Sequence, residues 1–262
     1  MKNSIAAVLA ACAAFVQARE TIIPDAFSAG EKILFVGDSI THGGRQNDMN
    51  HYMGHGYAAE IAMRYLGYAP EKNLLFMNRG ISGNTSADLL ARWDRDILAA
   101  TATERGWQNA FKGSGRAFKP DVVSILVGIN DYLHPDGKRR VAAEDYAKNI
   151  EELVVRTKRS LPDSSIVLCE PFRLPEDKSD DFIARQRAVR ETARRHGLCL
   201  VEFQQLFSDV LMRDKPDAGY WFWDDFHPTY AAHTRMADFW LETFAAFKAA
   251  HGGNVSKGVS ND

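Results

Sequence analysis

The stretch KILFVGDSITHGG, residues Lys32 to Gly44, begins as an apolar run and ends among small and polar residues. Its first part, Lys32 to Gly37, is rich in large apolar side chains and does not alternate polar with apolar. This composition is typical of a strand that is buried on both faces of a parallel sheet. The run stops at Asp38 and Ser39. A serine in this place is either the cap of a following helix or a nucleophile at the edge of a sheet.

Four further segments resemble the first strand. Each is a short run of Val, Ile, Leu and Phe, and each predicts another buried strand. They are Leu74 to Asn78, Asp121 to Val127, Ser165 to Glu170 and Leu198 to Phe203.

Amphipathic segments separate these strands and predict helices. The alternation of strand and helix predicts right-handed βαβ units, and therefore an α/β fold with helices on both faces of the sheet. In such a fold, sites form beyond the carboxyl ends of the strands. The predicted helices are Ser86 to Ala99, behind Thr85 or Ser86 as N-cap, Ala142 to Leu161, Asp180 to His196 and Thr229 to Ala250.

Two apolar features indicate core and not a functional site. Cys169 and Cys199 lie in apolar runs, which favours buried thiols, with a disulfide as the alternative. The last predicted helix carries a stripe that we interpret as core: Met236, Phe239, Trp240, Phe244 and Phe247.

Charge gives no indication of a nucleic-acid partner. The 262 residues carry 32 Lys and Arg against 34 Asp and Glu, a net charge of −2. The segment Arg185 to Arg195 is basic, but Glu191 and apolar residues interrupt it, which favours a solvated helix face.

The first residues have the pattern of an export signal. A lysine precedes an apolar run, Ile5 to Val16, and Ala18 occupies a position suited to signal peptidase. We predict a signal peptide over 1–18, a single domain over 19–250 and a disordered polar tail over 251–262, hence a secreted or periplasmic protein. The apolar run is shorter than the roughly 20 residues that span a bilayer, so we expect no stable membrane insertion. Lipid attachment at Cys12 is the alternative.

Polar residues follow several of the predicted strands and precede the last helix. Ser39 follows the first strand, and Asp224 and His227 lie three residues apart before the last helix. A serine hydroxyl needs a base within reach, usually a histidine oriented by a carboxylate. The alternative is that Asp224 or Asp225 shapes the entry to the helix and that His227 is a surface residue.

A nucleophilic serine also needs donors for the oxyanion that develops on the substrate. The candidates are the backbone N–H groups of Ser39 and Gly83 and the side-chain amide of Asn130. Turn formation at Gly83 and capping by Asn130 are the structural alternatives.

These blocks, GDSI with Ser39, ISGNTS with Gly83, GIND with Asn130 and DDFHP with Asp224 and His227, resemble those of the SGNH (GDSL-type) hydrolases. The resemblance extends from Lys32 to the last helix. It implies a flavodoxin-like three-layer α/β/α sandwich with a mostly parallel five-stranded sheet. It also implies that Ser39 is the nucleophile, His227 the base and Asp224 its orienting acid, with an oxyanion hole from Ser39, Gly83 and Asn130 and no cofactor. The G-x-S-x-G motif of other α/β-hydrolases is absent, because residue 41 is Thr.

The predicted reaction is carboxylic ester hydrolysis through an acyl-enzyme. We expect a small-molecule or polysaccharide ester as substrate, with O-acetylated carbohydrate preferred, since exposed aromatic residues stack on sugar rings. The alternatives are a lysophospholipase, thioesterase or arylesterase of the same fold, and a carbohydrate-binding protein without catalysis. Arg173, in the loop after the fourth predicted strand, is a candidate contact for a uronic acid carboxylate, with a solvated side chain as the alternative. The predicted substrate-binding residues are Asp38, Tyr220, Trp221 and Trp223.

A metal site is a rival interpretation. Asp48, His51 and His55 have a spacing that suits one face of a helix. Gly54 and Gly56 disfavour a helix there, so we predict no metal.

Overall fold

A computed structural model describes residues 23–46, 51–98, 118–174, 177–215 and 217–251. The predicted signal peptide, Cys12, Asp48 and the tail from 252 to 262 lie outside the described residues. Residue 251, which we assigned to the tail, is the last residue of a helix.

The core of the fold is a sheet of five strands, each parallel to its neighbours. The order is β2-β1-β3-β4-β5, which is the flavodoxin-like order. The prediction of a five-stranded parallel sheet is therefore confirmed. The last strand is shorter than predicted, because a helical turn begins at Phe203. The strands are β1 Lys32–Gly37, β2 Leu75–Asn78, β3 Val122–Leu126, β4 Ser165–Cys169 and β5 Cys199–Val201.

Helices surround this sheet. Short 3₁₀ turns occur at Pro70–Lys72 and Gly137–Arg139, and π-helical turns at Trp93–Leu98 and Leu206–Leu211. The α-helices are α1 Ser39–His42, α2 Tyr57–Tyr68, α3 Ser86–Ala91, α4 Ile129–Leu133, α5 Ala143–Ser160, α6 Asp180–His196, α7 Phe203–Gln205, α8 Met212–Asp214, α9 Ala218–Trp221 and α10 Tyr230–His251.

Successive strand residues point to opposite faces of the sheet, so each face buries its own apolar cluster. Ile33 and Phe35 of β1 pack in one cluster with α2 and α10. Leu34 and Val36 pack in the other with α3, α5 and α6. This arrangement gives three layers, and it explains why the strands are apolar without alternation.

The apolar stripe of α10 is core, as predicted. Met236, Trp240 and Phe244 are fully buried, and Phe239 and Phe247 pack against them while partly buried. The indole N–H of Trp240 donates to Ser124 Oγ at 3.0 Å. Cys169 and Cys199 are buried and free, so no disulfide forms between them.

The predicted helix from Ser86 to Ala99 is wrong in its extent. Thr85 caps α3, and its capping box with Asp88 fixes the start. After Ala91 the backbone changes to a π-helical turn, in which Trp93 is fully buried and donates to Thr157 Oγ1 at 3.1 Å. Packing of Trp93 against α5 thus accompanies the change in winding.

Helix α6 has the predicted bounds. Ser179 caps its first turn and Gly197 ends it in the left-handed conformation, with φ of 63°. One of its arginines departs from the predicted solvated face. Arg185 is buried, and its guanidinium donates to the carbonyl of Asp181 at 2.7 Å and to that of Val141 at 2.5 Å.

Candidate active site

Ser39 is the first residue of α1, immediately after the carboxyl end of β1. Asp38 is the N-cap of this helix, and its Oδ1 accepts the backbone N–H of Ile40 at 3.0 Å. The strand therefore ends where the Asp38 side chain, and not a neighbouring strand, accepts the hydrogen bond of a backbone N–H. Ser39 lies at the edge of the sheet as a result.

The side chains of Ser39, His227 and Asp224 form one hydrogen-bonded chain. Ser39 Oγ lies 2.9 Å from His227 Nε2, and His227 Nδ1 lies 2.7 Å from Asp224 Oδ2. The carboxylate accepts at Nδ1, so we assign the ring proton to that nitrogen and leave Nε2 as the acceptor of the serine hydroxyl. This is the arrangement in which a histidine can take a proton from a serine.

Asp224 also shapes its own loop. Its Oδ1 accepts the backbone N–H groups of Phe226, at 2.9 Å, and His227, at 2.8 Å. Partial burial opposes ionisation of this carboxyl, but these hydrogen bonds and that of the His227 ring lower its pKa below the ordinary value. Asp224 is therefore ionised whenever His227 acts as a base.

The loop that carries His227 is fixed to its neighbours at both ends. The N–H of Trp223 donates to the carbonyl of His227 at 2.9 Å, and Phe222 pairs with Pro228 in a β-bridge. The N–H of Leu174, in the loop after β4, donates to the carbonyl of Asp225 at 2.8 Å.

Arg173 adds a charged connection between the same two loops. Its guanidinium contacts Asp225 Oδ2 at 2.7 Å and Asp177 Oδ2 at 3.0 Å. The sequence left Arg173 open as a contact for a sugar acid. In the structure, its guanidinium instead forms ion pairs with two carboxylates of the protein.

The predicted oxyanion-hole groups lie at the start of α1, in the loop after β2 and at the start of α4. The loop after β2 is joined to the end of β1 by the N–H of Ile81, which donates to the carbonyl of Gly37 at 3.0 Å. Gly83 follows, with φ of +78°, a conformation that favours glycine. The amide of Asn130, in the first turn of α4, donates to the carbonyl of Asn84 at 3.1 Å.

The backbone donors of this group are free to meet a ligand. Across the described ranges, the N–H groups of Ser39 and Gly83 have no acceptor within the protein. Two unpaired N–H groups and a nearby amide are the donors that an oxyanion requires.

Arg92 holds this edge together and was not found from the sequence. It is buried, and its Nε donates to Asn84 Oδ1 at 2.8 Å. Its Nη2 donates to the carbonyl of Arg79 at 2.9 Å and contacts that of Gly37 at 3.4 Å. The only available signal was an arginine beside the apolar positions of a predicted helix.

Two of the predicted substrate-binding residues are in the wrong place for that role. Asp38 is 1% exposed and Trp221 is 5% exposed, with its indole N–H donating to the carbonyl of Lys215 at 3.0 Å. Neither side chain offers a face to a ligand. Tyr220, 46% exposed, and Trp223, 68% exposed, do.

Burial changes the acid–base behaviour of the groups beneath the site. It raises the pKa of Asp38 to about 7, with the charge of Asp131 adding to the effect and the Ile40 N–H opposing it. It also lowers the pKa of His233 to about 3. The ring of His233 is thus neutral, and its Nδ1 accepts the N–H of Tyr57 at 3.1 Å.

The described part of the chain contains no group of three His, Cys, Asp or Glu side chains placed to hold a metal ion. Nor is any described helix long and apolar enough to cross a membrane.

The layered α/β/α sandwich, with a serine at the end of β1, defines the class of SGNH-type hydrolases. Residues 35–235 match the model of the GDSL-like lipase/acylhydrolase family, and the chain belongs to this family. It is an SGNH-type esterase.

Relatives of known name support the assignment. An acetylxylan esterase from Geobacillus stearothermophilus is 33% identical over 222 residues, which cover 80% of this chain and 91% of that protein. A crystal structure of an acetylxylan esterase from the same organism is 31% identical, with a TM-score of 0.69 over 83% of this chain and 95% of that one. LAE5, an α/β hydrolase enzyme from the metagenome of Lake Arreo, is 30% identical, with a TM-score of 0.70 over 85% of this chain and 98% of that one.

Proposed function

We propose that the protein removes O-acetyl groups from carbohydrate by a serine-dependent mechanism. The observation that carries the proposal is the hydrogen-bonded chain from Ser39 through His227 to Asp224. In an esterase of this family, a serine that is paired with an oriented histidine is the group best suited to attack an ester.

The mechanism has two halves. Ser39 Oγ attacks the ester carbonyl carbon while its proton passes to His227 Nε2, and the resulting oxyanion accepts hydrogen bonds from Ser39 N–H, Gly83 N–H and the Asn130 amide. The carbon–oxygen bond to the alcohol then breaks, and His227 returns the proton to that alcohol. Water repeats the sequence on the acyl-enzyme, again with His227 as base, and releases acetate and free Ser39.

The relatives support acetylated carbohydrate as the substrate. The curated relative is named as an acetylxylan esterase. Two variants of such an enzyme, with a serine or an aspartate replaced by alanine, are described as catalytic mutants. In this chain, the exposed rings of Trp223 and Tyr220 lie close in sequence to Asp224 and suit stacking against a sugar.

An acyl-chain series tests the proposal. Wild type and Ser39→Ala are compared on aryl esters from C2 to C12 and on acetylated xylan, with acetate release as the readout. We expect a preference for C2, acetate release by wild type, and loss of both activities in Ser39→Ala. A preference for C8 or longer contradicts the carbohydrate assignment and favours a lysophospholipase or lipase.

Labelling separates the catalytic proposal from a binding protein without catalysis. A serine-directed phosphonate should label wild type at Ser39 and leave Ser39→Ala unlabelled. Failure to hydrolyse any activated acetyl ester, together with absence of labelling, contradicts the serine mechanism.

We further propose that the protein is exported after cleavage behind Ala18. The pattern of the first residues supports this, and N-terminal sequencing of the protein recovered outside the cytoplasm tests it. A mature chain that begins at residue 19 agrees with the proposal. A lipidated N-terminus at Cys12 contradicts it.

A further inference from the structure

His134 lies where α4 ends, one turn after Asn130. Its backbone N–H donates to the carbonyl of Asn130 at 3.0 Å, and its own carbonyl accepts Arg140 Nε at 3.3 Å. The ring is fixed as well, since its Nδ1 lies 3.0 Å from the backbone N of Asp136. The side chain is therefore held at its backbone and at one ring nitrogen.

The backbone of Asp136 occupies Nδ1 of the ring, because its N lies 3.0 Å and its carbonyl oxygen 3.1 Å from that atom. The N–H can only donate and the carbonyl can only accept, so Nδ1 has a partner in either tautomer and Nε2 takes no part in these contacts. The residue is 7% exposed. Across the described residues, its Nε2 has no hydrogen-bond partner in the protein.

The free nitrogen lies beside the proposed oxyanion hole. A Cβ atom placed on Gly83 would lie 3.9 Å from His134 Nε2, and no other heavy atom outside its chain neighbours would come within 4 Å. The ring thus borders the open space next to Gly83. A nearly buried, unpaired ring nitrogen at a site of ester hydrolysis is suited to a hydrogen-bonding group on the substrate.

We propose that His134 is a substrate-binding residue whose Nε2 forms a hydrogen bond with a sugar hydroxyl adjacent to the scissile ester. The inference rests on the proposed function. The acyl carbonyl oxygen already meets three donors, and an acetyl methyl forms no such hydrogen bond. The alcohol part of the substrate therefore supplies the partner, and a hydroxyl there can pair with Nε2 in either tautomer because it both donates and accepts. Because the ring is held in place before binding, the hydrogen bond forms with little loss of conformational freedom.

The test uses two acetylated methyl glycosides, one with a hydroxyl next to the ester and one deoxygenated at that position. We expect wild type to favour the hydroxylated substrate by about tenfold in kcat/KM, because the deoxygenated substrate leaves a nearly buried ring nitrogen without its hydrogen bond. His134→Leu should lose this preference, and His134→Gln, which keeps an amide donor, should retain part of it.

The outcomes distinguish this inference from the proposed function. If wild type releases acetate but His134→Leu keeps the same preference, His134 does not bind the hydroxyl and the inference is wrong. If wild type hydrolyses neither glycoside, both the proposed function and the inference are wrong. If His134→Leu does not fold, the preference of His134→Gln decides: a value equal to that of wild type or higher contradicts the inference.

Discussion

Asp224 uses one carboxylate for two tasks. Its Oδ1 accepts two backbone N–H groups and so defines the turn, while its Oδ2 accepts the proton of His227 Nδ1. The same residue therefore sets the direction of the imidazole and its tautomer. Asp225, the next residue, has an equal charge, but it faces Arg173 and not His227.

This difference predicts unequal effects of the same substitution at two adjacent positions. Asp224→Asn replaces an acceptor with an amide and favours the wrong tautomer of His227, so we expect kcat to fall by about 10³- to 10⁴-fold. Asp225→Asn serves as the matched control and should lower kcat less than tenfold. Steady-state kinetics on an aryl acetate measure both, and equal losses would contradict the assignment of Asp224.

At the scale of elements, the site depends on the contact between the loop after β4 and the loop before α10. Leu174 N–H and the Arg173 guanidinium both bind Asp225, and Asp177 completes the ion pairs of Arg173. Arg173 is largely buried among these groups, so water screens its ion pairs less than it screens ion pairs at the surface. We infer that Arg173 positions the His227 loop.

Removal of Arg173 should therefore affect turnover more than binding. We expect Arg173→Ala to lower kcat by about tenfold with little change in KM, because small displacements of a catalytic base are costly. Kinetics on a soluble acetyl ester give both constants. A raised KM at unchanged kcat would indicate that Arg173 contacts substrate, as the sequence left open.

Arg156 provides the control for this experiment. It also contacts two carboxylates, Glu152 at 2.7 Å and Asp94 at 3.6 Å. It lies near the end of α5, which in a βαβ unit returns to the amino edge of the sheet, away from the site. Arg156→Ala should leave kcat and KM within twofold of wild type.

At the scale of the whole molecule, several buried ionisable groups couple stability to pH. Burial raises the pKa of Glu170 to about 7, although the ion pair with Arg190 at 2.6 Å opposes it. Asp38 is affected in the same direction. A carboxyl with a raised pKa keeps its proton in the folded state and loses it in the unfolded state. Stability therefore falls as pH rises between about 4 and 7.

Replacement of Glu170 should remove its part of this dependence. We expect the free energy of unfolding of Glu170→Gln, relative to that of wild type, to increase from pH 5 to pH 8 by on the order of 2 kcal/mol. His233 acts in the opposite direction, since its lowered pKa reduces stability below pH 6.5, but it is present in both proteins and cancels.

Urea denaturation of both proteins at pH 5 and at pH 8 measures the difference in their free energies of unfolding. Glu202→Gln is the comparison, because Glu202 contacts the same arginine at 3.2 Å but is only partly buried. The charge of Glu202 is one of the smaller causes that raise the pKa of Glu170, so this variant should show only a small part of the change between the two pH values. A constant difference for Glu170→Gln would mean that Glu170 is ionised throughout.

Local pattern was enough to find most of the elements. The apolar runs located all five strands, and α6 has the predicted bounds because its caps and charges are local signals. The extent of α3 was mispredicted, since the burial of Trp93 against Thr157 depends on a residue distant in the chain.

The residues of the site show the same division between features that local sequence reveals and features that depend on tertiary contacts. Residue type and family resemblance predicted the site residues Ser39, Gly83, Asn130, Asp224 and His227, and the structure joins Ser39, His227 and Asp224 in one hydrogen-bonded chain. The burial of Trp221 and Asp38 could not be predicted from the sequence, because a run of aromatic or acidic residues does not reveal which side chain points inward.

The sequence by itself determined the α/β fold class, through short-range apolar periodicity, and it supplied the candidates for the reactive groups, through residue type and family resemblance. Only the tertiary structure decided that Arg92 and Arg173 connect the loops of the site and that the Nε2 of His134 is unpaired among the described residues. The physical reason is the distance along the chain over which each effect acts. Periodicity and capping act within a few residues, whereas burial and ion pairing depend on which distant segments the fold brings together.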